Sequence, residues 1–437
     1  MSSQRVFRYA FSSVGKYPTT GEWSHVSEAD FHTSLRRIGQ AVLAAEVTPA
    51  WADDLLRIAR AVYLVDKRAP RPRGLDPWTR DLHLWVHVTD ADRWRGEPIT
   101  VLETVLRAMT SDQWHLTIEG GAPPIDVQPR LGTDSPAGEV ALFSGGLDST
   151  AYAAQQASTP GHPVLLIGHD LADGHIPQKA LYEAIRRLSG GQRTITYCPV
   201  GDSPATPSGY SEPSTRTRGF LFAATAIYAA AAHGTTVATM PENGQLAINP
   251  PLTAARRAAC STRSVHPWVL DLLNHLTTAV HGDVSLHNPF LYKTKGEVCA
   301  IARDSGLSAN SLGATVSCGT YSVHRQDGNC GFCYPCLIRR SGLQAALGHD
   351  PTHYSRALSE LTTIKTAQHV LDLQQWLLSD FGARELVADM PLPRSADRPS
   401  LLAMLTRGRA EIVQMLAHHH QWSPVPETGA VAEAVER

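Results

Sequence analysis

From residue 139 onward, short apolar runs alternate with longer segments whose apolar positions recur at helical spacing. The runs at 140–144, 164–169, 194–200, 235–240 and 284–287 predict strands, and 148–157, 178–188, 218–233, 267–280 and 295–305 predict helices between them. This rhythm predicts an α/β fold: a doubly wound parallel five-stranded sheet with helices on both faces, binding ligands beyond the carboxyl ends of its strands. Upstream, Leu35, Ile38, Val42 and Leu43 mark one face of a helix over 30–46, and a second helix is expected over 50–66. Thr48 is its expected N-cap, with Pro49 at the first helical position. After a Pro-rich connector at 67–77, Leu82, Leu84, Val86 and Val88 alternate with His83, Trp85 and His87, the period of a strand. Another strand is expected at 114–118. Residues 1–130 thus read as an accessory α+β domain, set off by a Gly/Pro/Asp/Ser-rich linker over 120–138. Helices are expected again over 354–378 and 400–418, within a C-terminal helical extension at 350–422. The tail at 423–437 reads as disordered.

Length and charge narrow the function. A chain of 437 residues exceeds one ordinary core, so two or three domains are expected. The net charge of −2 gives no broad attraction for nucleic acid, so such a partner is disfavoured. No run of about 18 apolar residues predicts a membrane span. The first residues lack the charged-then-apolar order of a secretory signal, and a cytoplasmic location is expected.

Two constellations carry chemistry. Ser144-Gly145-Gly146-Leu147-Asp148-Ser149 joins the first strand of the α/β segment to its first helix. Glycines there let backbone approach a ligand, and N–H groups at a helix start favour an anion. Ser144 and Ser149 add hydroxyl donors. Asp148, which a phosphate would repel, is expected to cap the helix, with a metal contact in addition. The Walker pattern is absent, so transfer of a γ-phosphate is not the natural chemistry. Cys318, Cys330, Cys333 and Cys336, four of the seven cysteines, have the spacing of a closed four-thiolate zinc site. Such a site is structural, because it has no open coordination position.

The hexapeptide resembles the PP-loop of ATP pyrophosphatases, which split ATP between the α- and β-phosphates and hold the departing pyrophosphate. Together with Cys330-Gly-Phe-Cys333-Tyr-Pro-Cys336, with Lys293-Thr-Lys295-Gly-Glu297 and with the helix start at Arg218, it resembles the QueC family of 7-cyano-7-deazaguanine synthases over roughly 139–345. The resemblance implies ATP, Mg²⁺ and zinc as cofactors and 7-carboxy-7-deazaguanine, or a close deazapurine carboxylate, as substrate. It implies that Ser144, Gly145, Gly146, Leu147, Asp148 and Ser149 bind ATP, while Lys293, Lys295 and Arg218 neutralise developing phosphate charge. The family's substrate segment is replaced here. Glu242 and Asn243 are the expected base-binding pair, and Arg263 and His266 are expected to meet the carboxylate or its adenylate. The added N- and C-terminal blocks make the layout similar to QueC-like proteins of anti-phage systems, QatC of the Qat system and the QueC-like protein of type IV CBASS. That likeness implies adenylation followed by transfer to an amine, preferably the N-terminus of a protein encoded nearby. The alternatives are nitrile synthesis in the queuosine pathway and, in a different class, a non-catalytic zinc-stapled nucleotide-binding scaffold.

Overall fold

The computed structural model describes residues 6–32, 47–71, 79–125, 136–169, 177–201, 203–205, 211–253, 263–319, 328–361 and 364–419. Most of the helix expected over 30–46, much of the 120–138 linker and all of the tail lie outside the described residues.

The strands are β1 (Val6–Phe11), β2 (Ser24–Val26), β3 (Phe31–His32), β4 (Asp81–His87), β5 (Gln113–Glu119), β6 (Glu139–Leu142), β7 (Val164–His169), β8 (Ile195–Val200), β9 (Ser203–Pro204), β10 (Val237–Thr239) and β11 (Ser285–His287). The helices used below are α1 (Ala50–Arg68), α2 (Glu97–Thr110), α3 (Leu147–Ala157), α4 (Gln178–Ser189), α5 (Arg218–Ala232), α6 (Gly244–Ile248), α7 (Pro267–Ala279), α8 (Lys295–Asp304), α9 (Tyr334–Leu347), α10 (Ile364–Leu378) and α11 (Arg398–His418).

Strands buried on both faces need apolar residues at every position, which explains the unbroken runs. In the central sheet Val140, Leu165 and Ile167 enter one core, while Ala141, Phe143, Val164 and Leu166 enter another. All five strands are parallel, in the order β11-β10-β6-β7-β8. The chain starts in the middle at β6, runs outward to β8, then crosses back to β10 and β11. The direction therefore reverses between β6 and β10, and a crevice opens beyond their carboxyl ends. The loop at 144–149 leaves β6 there, and Glu242 follows β10 there.

The N-terminal block holds a second sheet, β2-β1-β4-β5, also entirely parallel. Helix α2, which joins β4 to β5, was not foreseen, and it makes the block α/β rather than the expected α+β. Phe7, Phe11, Leu82, Leu84, Val86, Trp114 and Leu116 point to one face and cover α1 and α2. Those helices in turn pack on α5 and α7, which cover the central sheet. One continuous apolar core runs from Phe11 through Val62 and Tyr228 to Val140.

Helix α1 shows the cost of this sandwich, being buried from Trp51 through Asp66 without a break. Its charged residues are each tied to a partner. Asp54 accepts the backbone N–H groups of Thr89 and Asp90, and Asp53 that of Ile125. Arg60 meets Glu28 at 3.0 Å. Asp66 binds Thr217 at the start of α5 and the buried Arg80, which also reaches Asp112 at 2.6 Å. Thr48 is not the N-cap that was expected. Pro49 holds that position without a side-chain bond, and Thr48 is buried instead.

On the far side of the central sheet lie α3, α4, α8 and α9. Helices α8 and α9 approach closely because residue 342 is glycine: a Cβ there would lie 2.4 Å from the Lys295 side chain. Helix α11 packs across α9. It places Glu411 at the start of α8, where the carboxylate accepts from Thr294 Oγ1 and from Gly296 N at 3.1 Å. Arg407 pairs with Glu297 at 2.8 Å beside it.

Burial pushes the Glu411 carboxyl up to about 7, against the pull of its two hydrogen bonds. A raised acid is most stabilising below the ordinary glutamate range, and that contribution fades as pH rises through 7. Glu411→Gln should therefore gain stability relative to the parent between pH 5 and 8. The gain should be on the order of 1–2 kcal/mol after allowance for solvent screening, read by thermal unfolding across that range.

Candidate active site

The loop leaving β6 is tight because Gly145 takes a left-handed φ of 74°, which a side chain would strain. Ser144 and Ser149 close it. Their hydroxyls lie 3.2 Å apart, Ser144 N donates to Ser149 Oγ, Gly146 N donates to Ser144 Oγ, and Ser149 Oγ donates to Gly146 O. Gly146 is the N-cap of α3 and has no side-chain cap bond. The helix start thus has no side-chain cap on its N–H groups, which is the condition anion binding requires.

A cavity of about 350 Å³ opens over this loop, within the usual range for small-ligand pockets. Ser144, Ser149, Arg218 and Glu242 line it together. So do three groups the sequence analysis passed over, His169, Gln178 and Phe222. Gln178 Nε2 donates to the carbonyls of Ser144 and His169 at 3.1 and 3.3 Å, which fixes the loop against the end of β7. The His169 and Phe222 rings lie 4.0 Å apart, and Arg218 sits 5.7 Å over Phe222. Burial and the Arg218 charge push His169 down to about 3, so its imidazole is neutral. Its place just past a strand end was the one available signal.

Asp148 does not cap the helix. Its Oδ2 accepts from Lys295 Nζ at 2.6 Å and from Asn243 Nδ2 at 3.1 Å. Lys295 is buried, at 1% exposure, so it balances Asp148 rather than reaching toward phosphate. Asn243 also caps α6 through Leu246 N and donates to Glu242 at 2.9 Å. Burial tends to raise Asp148, but the Lys295 ammonium and the surrounding hydrogen bonds outweigh it and hold the group below its ordinary value. Glu242 moves the opposite way: burial and the adjacent Asp148 charge push it well above the glutamate range. The proton of this carboxyl pair therefore resides on Glu242.

The remaining residues separate. Lys293 is exposed and outside the cavity wall. Arg263 is held by Ala108 O at 3.0 Å and by Asp389 at 3.2 Å, linking α2 to the C-terminal extension. His266 is buried and caps α7, its Nδ1 accepting from Trp268 N at 3.2 Å. Burial, then Arg263, pushes it down to about 3, the neutral form such a cap needs. Ser264 and Val265, between these two, reach the cavity instead. Sequence spacing placed the segment correctly but not the direction of its side chains.

The cysteine cluster forms the facing wall. The four sulfurs lie within 4.8 Å of one another, with Cys318 to Cys333 at 4.0 Å and Cys330 to Cys336 at 3.9 Å. A tetrahedron with 2.3 Å zinc–sulfur bonds has edges of about 3.8 Å, so the set fits zinc. Cys318 and Gly319 line the cavity, and Val316 N donates to Gly145 O at 3.1 Å. The segment leading into the cluster therefore braces the loop after β6.

Comparison with known proteins agrees with this arrangement. A family model described as "Queuosine biosynthesis protein QueC" matches residues 266–347, from α7 through the cysteine cluster to α9. A 7-cyano-7-deazaguanine synthase of Solidesulfovibrio magneticus is 26% identical over 243 residues, 52% of this chain and 99% of that protein. Over these spans the chain is similar to QueC proteins. Synthases of the same name from Cupriavidus taiwanensis and Cupriavidus necator are each 39% identical over 88 residues. Those matches take in 20% of the QueC-like chain and 37% of the relatives' length.

Removing Lys295 strands a buried carboxylate. Lys295→Met should lower stability by about 3–5 kcal/mol, and adding Asp148→Asn should restore much of it. Denaturant unfolding of the single and double variants measures both.

Proposed function

We propose that the QueC-like chain is an ATP-dependent ligase that adenylates 7-carboxy-7-deazaguanine and converts the activated acid to 7-cyano-7-deazaguanine. The substrate carboxylate attacks the α-phosphate of ATP, giving an acyl adenylate and pyrophosphate. Ammonia displaces AMP to give the amide, and a second ATP activates the amide oxygen for loss as the nitrile forms. The observation that carries the reading is the convergence of Ser144, Ser149 and Arg218 on one cavity at the point where the sheet reverses direction.

In this reading the N–H groups at the start of α3 and the two serine hydroxyls hold pyrophosphate, and Arg218 offsets charge developing on the α-phosphate. Fixed donors of this kind act mainly through placement and electrostatics, so no protein nucleophile is required. Lys295 is a positioning residue that acts through Asp148. Protonated Glu242 adds no negative charge beside the phosphates and offers the substrate a neutral carboxyl. Mg²⁺ bound with the nucleotide would offset phosphate charge, and Asp148 is the loop carboxylate that would help to hold it. Zinc, held by the four cysteines, would supply rigidity to the wall that touches Gly145.

The relatives' shared name favours nitrile formation over transfer to a protein amine, the outcome preferred from layout. The second reading keeps one specific support. The full-length relative matches only 52% of this chain, and the remainder includes surface that a nitrile synthase of ordinary length lacks. Transfer to a protein amine in an anti-phage system would give that surface a protein acceptor to dock.

Incubation with ATP, 7-carboxy-7-deazaguanine and ammonium should release pyrophosphate and yield the nitrile by mass spectrometry. A mass gain on a neighbour-encoded protein, with no nitrile, would favour the second reading. Absence of pyrophosphate with any deazapurine acid would leave a nucleotide-binding scaffold. Ser144→Ala and Arg218→Ala should each slow pyrophosphate release by about 10²–10³-fold with folding unchanged.

A further inference from the structure

The outward face of the N-terminal sheet carries a second cluster with metal-ligand chemistry. Asp81 and His83 are two residues apart on β4, so both leave the sheet on the face opposite Leu82 and Leu84. His115 on β5 is the direct cross-strand partner of His83. The three side chains converge. Asp81 Oδ1 lies 3.2 Å from His83 Nε2 and 3.4 Å from His115 Nε2, and all three ligand atoms fall within 4.8 Å of one another. Ligands bound tetrahedrally at 2.0–2.1 Å stand about 3.3 Å apart, the spacing of both Asp81 contacts.

Asp81 Oδ1 is shielded from water and lies between the two imidazoles. The set is also firmly held, because Arg80, next in the chain to Asp81, is locked to Asp66 and Asp112. His115 keeps 53% of its side chain exposed, so solvent reaches the cluster from outside. Arg8, exposed on the neighbouring strand, moderates the affinity for a cation.

We propose that Asp81, His83 and His115 form a three-ligand zinc site, separate from the cysteine cluster, with its remaining coordination position open on the solvent face of the sheet. Two imidazoles and one carboxylate with an open position is the donor set of zinc sites that bind an exogenous ligand, and it also admits iron(II). Nothing in the proposed ligase chemistry uses it.

The test is zinc titration of the full chain with its cysteine site already loaded, followed by calorimetry and by metal analysis after gel filtration. One further equivalent per chain is expected. It should be lost in the His83→Ala, His115→Ala double variant and weakened at least about tenfold in Asp81→Asn. Cobalt loaded at this position should absorb in the visible without thiolate charge transfer, which separates it from the cysteine site. No further equivalent, or binding undiminished in the double variant, would overturn the proposal and mark the zinc as adventitious. Circular dichroism and retention of the cysteine-bound metal establish that the variants fold. The exposed single variant His115→Ala carries the same test should the double variant fail.

Discussion

The contact between Lys295 and Asp148 governs how this site is assembled. Both groups are buried, and a buried ion pair contributes little net stability against well-packed apolar residues. What it does provide is a requirement for alignment. The first turn of α3, the cap of α6 and the start of α8 must meet at one point, or a charge is left without a partner. The same meeting settles where the proton of the Asp148–Glu242 pair resides. The electrostatic character of the cavity thus follows from a lysine that never touches it.

The N-terminal block belongs to the same logic. Its helices do not merely rest on the α/β unit, because α1 has no solvent-facing side to retain. Buried Asp66 reaches Thr217 at the start of α5, immediately before Arg218 in the chain. Order in the N-terminal sheet is therefore transmitted to the helix that delivers an arginine to the cavity. The four-cysteine wall does the corresponding job on the other side, through Val316 and Gly145.

Much of this was legible in the chain. The strands and helices after residue 139 follow from apolar runs and helical spacing, and the hexapeptide and cysteine spacing marked their positions on the fold. Where reasoning stopped short, the reason is physical. β1 and α2 lie in segments whose patterns are short or mixed, and only pairing with β4 and β5 fixes them. Nothing in the spacing of the charged positions on α1 reports their burial, yet Asp54, Arg57 and Asp66 are buried with backbone or side-chain partners. Lys295, Arg263 and His266 were read as free to meet a ligand, since spacing reports proximity along the chain and not the partners that tertiary contacts supply. His169 and Gln178 were missed because a lone polar residue at a strand end or a helix start carries no pattern.

Gly342 links these themes. It lies on α9, six residues beyond Cys336, and its missing side chain makes the room that Lys295 occupies. A single methyl group there would press on the lysine stem from behind and lift the ammonium from its carboxylate. Damage to the cavity would then originate in a helix that does not line it. An inherited change at that position would be easy to dismiss as remote, although its mechanical path to the loop after β6 is one side chain long.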